Sequence, residues 1–108
     1  MAEEVQKISK EEFSEFMFIQ YISALVSSGM QHLGKTMNQL TGKIEKNLEA
    51  AQGIIELLSM LKEKTKGNLS DIEERIISDG MANLQLNYAD EVNRSEKEDK
   101  SQKKENDL

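Results

Sequence analysis

The sequence predicts an all-α protein: an antiparallel helical hairpin with a long first helix, ending in a disordered tail. Two observations carry that reading. Residues 48–70, LEAAQGIIELLSMLKEKTKGNLS, spell an amphipathic helix, a complete stop and the start of another helix. Two capping boxes, Ser9-Lys10-Glu11-Glu12 and Ser70-Asp71-Ile72-Glu73, mark helix beginnings. In each, the serine can cap the amide three residues on while the glutamate reaches back.

The first helix is expected over about residues 10–33. Glu11, Glu12 and Glu15 lie in its first turns, where negative charge suits the helix dipole, and Gly34 is the natural stop. Residues 34–46, GKTMNQLTGKIEK, hold two glycines and no sustained period, so they read as a loop. Asn47 is a good N-cap for a second helix over about residues 48–66. On a wheel, Ala50, Ala51, Ile54, Ile55, Leu57, Leu58 and Leu61 fall within about 160°, a core-facing stripe. Lys62, Lys64 and Lys66 load its end with the charge the dipole favours. Gly67 supplies the left-handed residue just beyond, and Leu69 is placed to fold back on the last turn. A connection this short makes the second and third helices antiparallel neighbours.

The third helix, about residues 71–91, is less regular. Ile76, Ile77, Met81, Leu84 and Tyr88 share a face, but so do Gly80 and Asn87. From Asn93 nothing is apolar until the last residue. Such a segment cannot bury enough surface to offset its ordering entropy, so residues 93–108 are expected to be a disordered mixed-charge tail behind a helical domain of residues 1–92.

Composition narrows the function. The chain of 108 residues has no cysteine, which excludes disulfides, zinc-thiolate sites and thiol nucleophiles. Residues 93–108 carry five basic and five acidic side chains, so the whole net charge of −6 sits on residues 1–92. An acidic body repels phosphate backbones and argues against nucleic acid. The start, MAEEVQK, lacks the features of a secretory signal, and a cytoplasmic location is expected. A domain of about 90 residues buries only about 60–65% of its chain's surface, so a partner that covers apolar surface would help it.

The stretch Phe16–Gly34 runs 19 residues without one Asp, Glu, Lys or Arg. It is too polar to span a membrane: 11 of the 19 are apolar, short of the roughly 20 consecutive apolar residues required. Phe18, Ile19, Tyr21, Ile22, Leu25, Val26, Met30 and Leu33 cover about half the wheel and form the expected core side. The other half is uncharged and mostly small, where an exposed helical back is normally rich in Glu and Lys. Small residues four apart let another backbone approach closely. Gln20, Ser23, Ala24, Ser27 and Gln31 are therefore the candidate self-association face, and a homo-oligomeric bundle is expected. A solvated serine-rich back is the plainer alternative.

Chemistry finds little purchase. His32 is the only histidine, and no motif gives it a nucleophile or carboxylate partner. Adjacent pairs such as Glu11-Glu12 and Glu73-Glu74 point in different directions on a helix. No zinc, P-loop or EF-hand spacing occurs. No catalytic residue, metal site or cofactor is expected. A glycine turn feeding a helix N-terminus beside lysines can hold an anion, which makes Lys64, Lys66, Gly67, Asn68 and Ser70, with Lys62 beside them, a candidate anion site; each also has a capping role to fill.

The hairpin resembles a small bacterial family known only as domain of unknown function eighteen-forty-four. The resemblance rests on Leu33-Gly34 closing an early apolar helix, Leu-Glu-Ala-Ala at Leu48–Ala51, Lys-Thr-Lys-Gly-Asn-Leu at Lys64–Leu69, and Leu84-Gln85-Leu86-Asn87-Tyr88. It covers roughly residues 13–92. It implies a bacterial cytoplasmic protein and carries no activity to transfer. The reading that remains is a small helical protein that is not an enzyme and acts through protein–protein contact, as an oligomer or as an adaptor for an unidentified partner. An anion- or ligand-binding regulator using the Lys62–Ser70 turn is the alternative.

Overall fold

The computed structural model describes residues 7–106, with side chains through residue 101. It contains three helices, α1 (Lys10–His32), α2 (Leu48–Lys64) and α3 (Asp71–Asn106). Each helix packs on both others.

The helix starts are the ones the caps predict. Ser9 Oγ accepts from the Glu12 amide at 3.1 Å, and Asn47 Oδ1 accepts from Ala50 N at 3.0 Å. Ser70 completes its box: its Oγ accepts from Glu73 N at 3.3 Å, and its own amide donates to Glu73 Oε1 at 2.8 Å. Helix α2 stops two residues before the expected end at 66. The Thr65 hydroxyl donates to the Leu61 carbonyl at 2.7 Å, and Lys66 N bonds the Glu63 carbonyl in a tightened last turn. Gly67, at φ +82°, then reverses the chain.

Ile22 and Leu33 from α1 and its cap, Ala51, Ile55 and Leu58 from α2, and Ile77 and Leu84 from α3 form the core. Each large aliphatic side chain buried there contributes about 1.5–3 kcal/mol. Helices α1 and α3 interlock through glycines. A β-carbon on Gly29 would lie 2.7 Å from Leu84 Cδ2, and one on Gly80 would lie 2.6 Å from Val26 Cγ2. Gly80 on the core face of α3 is therefore the gap that admits Val26.

Three further details differ from the sequence reading. Tyr21, assigned to the core side of α1, is 55% exposed; it lies at the edge of the stripe, and the arc that faces α2 and α3 is narrower than half the wheel. Residues 33–46 form more than a loop. They leave α1 and return as a finger, with isolated antiparallel bridges pairing Leu33 with Lys46 and Asn38 with Lys43. Asn38 Oδ1 accepts from Leu40 N at 2.9 Å at the tip, a local turn that asparagine is suited to make. Asn47 N donates to His32 O at 2.7 Å at the neck.

The third difference is the boundary of α3, which passes the expected end at 91 and continues to Asn106. No glycine or proline interrupts residues 93–106, and Glu, Lys and Gln are good helix formers. Residues 96–101 are all exposed. Apolar content thus marks where packing ends, not where the helix ends. Residues 107 and 108 lie outside the described part.

Candidate functional site

Helix α1 has two unlike sides. One carries Ile22, Gly29 and the half-buried Phe18, Leu25, Val26 and Met30 into the core. The opposite side is a continuous strip with no ionised group between Phe13 and Gln31; Glu15 lies off it, bonded to Ser70 at the start of α3. Its N-terminal half is apolar, with Phe13, Phe16, Met17 and Tyr21 exposed. Its C-terminal half is small and polar. Of the candidate self-association residues, Gln20, Ser23, Ala24 and Ser27 are exposed and Gln31 is half-buried. All five lie on or beside one strip, as the 3.6-residue period requires. The charge-free window signalled this strip, but not that Phe16, Met17 and Tyr21 within it, and Phe13 before it, would be exposed.

The finger makes the small-residue half concave. Residues 36–40 stand beside Ala24, Ser27, Ser28 and Gln31 and enclose a groove of about 710 Å³. Leu40 at its tip is 96% exposed and Met37 51%. A wholly solvated leucine on a turn that already has its own side-chain bond is not there for this chain's core.

An ion cluster fixes the finger's base. Glu91, on α3, is buried, and its carboxylate lies between two ammonium groups: Lys35 Nζ at 2.9 Å from Oε1 and Lys46 Nζ at 2.8 Å from Oε2. Oε2 takes no hydrogen bond of standard geometry among the described residues, so Lys46 is what neutralises it. Lys35 also donates to Asp90 Oδ2 at 2.9 Å, and Arg94 Nε lies 3.2 Å from the same oxygen. The Lys46 ammonium first, and then that of Lys35, hold the Glu91 carboxyl below its ordinary range against the opposing effect of burial. Asp90 is likewise lowered, chiefly by Lys35, and Lys35 is raised by Asp90 and Glu91. No spacing rule joins residues so far apart in sequence, and only the fold reveals this cluster.

The residues proposed for an anion site are split. Lys66 and Gly67, with Lys62, line a cleft of about 430 Å³ that also contains Glu63 and Glu74. Asn68 and Ser70 face a second cleft beside Lys10, Glu11, Glu15 and Glu73. Lys64, the last residue of α2, lines neither. The start of α3 has already recruited carboxylates: Ser70 Oγ donates to Glu15 Oε2 at 2.7 Å, beside the Glu73 bond that caps the helix.

Among the described residues no three His, Cys, Asp or Glu side chains converge as metal ligands, and no helix is long and apolar enough to cross a membrane. Among the described residues, the fold and the strip define three packed helices with an exposed, uncharged outer side on α1. The chain belongs to the family described as Domain of unknown function (DUF1844), which matches residues 15–90. That span begins on α1 and ends at Asp90, beside the ion cluster. No curated protein and no solved structure matches the chain.

Proposed function

We propose that this protein acts by protein–protein association rather than catalysis, and that its primary contact is self-association through the outer strip of α1. The observation that carries the reading is the exposure of Phe13, Phe16, Met17 and Tyr21 on a helix side without an ionised group. Contiguous exposed apolar patches of this kind on a small domain mark interaction sites. A chain with net charge −6 repels its own copies, and this strip of α1 adds no ionised side chain of its own to the contact. Copies paired there form a C2 contact that uses the same patch twice.

The ligand-binding alternative at the Lys62–Ser70 turn has less support. Lys62 and Lys66 lie beside Glu63 and Glu74, and Ser70 is engaged by Glu15.

Light scattering coupled to gel filtration tests the proposal. A dimer or higher oligomer is expected at high micromolar concentration, and Ser27→Arg should dissociate it by placing a long charged side chain in the contact. A 12.3 kDa species for the parent chain sinks the proposal. An oligomer that survives Ser27→Arg moves the contact off this strip.

A further inference from the structure

The strip is asymmetric along its length: large side chains at one end, small ones beside a groove at the other. A parallel pair would set Phe13 and Met17 against their own copies and leave both grooves empty. An antiparallel pair sets large against small twice. Residues on the outward line of the helix match when the midpoint falls near Ile22: Phe13 opposite Gln31, Met17 opposite Ser27, Gln20 opposite Ala24. We infer that two copies of this chain pair antiparallel along α1, with Phe13 and Met17 of each seated in the other's groove between α1 and the finger. This rests on the self-association proposed above and specifies its register.

Charge and area both favour a second copy as the occupant. Along the strip itself α1 carries no ionised side chain from Phe13 to Gln31, Glu15 lying off it. The charges that border it beside Ser23 and Ser27 are one of each sign, Arg75 and Asp79 of α3, so two acidic chains meet there with little apposed like charge. Phe13, Phe16, Met17 and Tyr21 are 50–55% exposed. At about 150–250 Å² for a full aromatic side chain, these four and Leu40 offer on the order of 500 Å² per copy. The groove walls add the polar remainder toward the roughly 800 Å² per partner of a standard interface. The finger has a role in this arrangement, since Leu40 and Met37 close over the second copy's aromatic end. The Lys35–Glu91–Lys46 cluster holds that wall in place from behind.

The chain's lack of cysteine allows a direct test. Met17→Cys and Ser27→Cys are made as separate full-length proteins carrying tags of different size. Both positions are exposed, and circular dichroism melts matching the parent confirm that each folds. On mild oxidation the mixture should yield a disulfide-linked heterodimer, while neither variant alone cross-links. In the antiparallel pair, the two copies of position 27 stand roughly 15 Å apart along the axis at about 1.5 Å per residue, beyond the reach of a disulfide. Efficient cross-linking of each variant alone would show a parallel pair; that overturns the register and leaves the α1 contact standing. No cross-link in any arm, with light scattering still showing a dimer, overturns both the register and the choice of face. A monomer in light scattering overturns self-association and the register with it.

Discussion

Gly80 on α3 meets Val26 on α1 so closely that a β-carbon at position 80 would stand 2.6 Å from the valine Cγ2. The same two helices repeat the device in reverse, with Gly29 on α1 receiving Leu84 of α3. Each glycine weakens its own helix by about 1 kcal/mol relative to alanine, and in exchange the two helices interlock.

Two substitutions separate these opposing effects. Gly53, midway along α2, has nothing within 4 Å of an added β-carbon, so Gly53→Ala should raise stability by about 0.5–1 kcal/mol. Gly80→Ala gains the same propensity but must push Val26 aside, and overpacking costs about 1–3 kcal/mol. It should therefore be neutral to destabilising. Urea unfolding of both variants decides it; equal gains would mean that α1 and α3 are not in close contact.

Gly67→Val tests the turn between α2 and α3. There is open space around the position, so any loss comes from the backbone at φ +82° and not from a clash. A cost of about 1–2 kcal/mol is expected. A melting temperature equal to the parent's would place the end of α2 elsewhere.

Glu91 links stability to pH. Its carboxyl is held below the ordinary 4.5 in the folded protein. Its contribution is therefore fully present above that ordinary value and is lost as pH falls through the lowered one. Glu91→Gln should destabilise the protein by about 1.5–3 kcal/mol at pH 7, the range for polar contacts with a charged group. The gap between variant and parent should narrow steadily below pH 4.5. A gap that is constant from pH 7 to pH 3 would show that the ion cluster does not carry it.

The end of α3 supports a complementary experiment. Residues 96–101 are exposed and bury no apolar surface, so deleting residues 96–108 should shift the melting temperature by no more than a few degrees. Ellipticity per molecule should fall, because helix is removed. A large drop in melting temperature would mean that this end docks on the body.

Local chemistry was legible in the sequence wherever a few adjacent residues decide the outcome. Ser9, Asn47 and Ser70 each satisfy amides within three residues of themselves, and Gly67 answers a demand of its own backbone. The packing stripe of α2 was equally plain, because one period governs it. What stayed hidden depends on partners distant in sequence. Gly80 looked like a flaw in α3 until Val26 was seen to fill it. Lys35 and Lys46, at the two ends of the finger, and Glu91 on α3 share no period. Tyr21 sat at a boundary that only the positions of α2 and α3 could draw. Of the candidate site, the small-residue half was readable from missing charge, whereas the groove beside it required the finger, whose bridges follow no hydropathy pattern.

The neck of the finger has an evolutionary consequence. Asn47 N and His32 O join the two ends of the excursion by a backbone bond, which is indifferent to the side chains beyond it. Closing a longer loop costs only about 0.6 kcal/mol per doubling of length. The tip between Asn38 and Lys43 is therefore where insertions and drift are cheapest for the fold, and where the surface beside α1 can be reshaped without rebuilding the scaffold. Lys35 and Lys46 mark the limit of that freedom, because change at the neck strips Glu91 of its counter-charges.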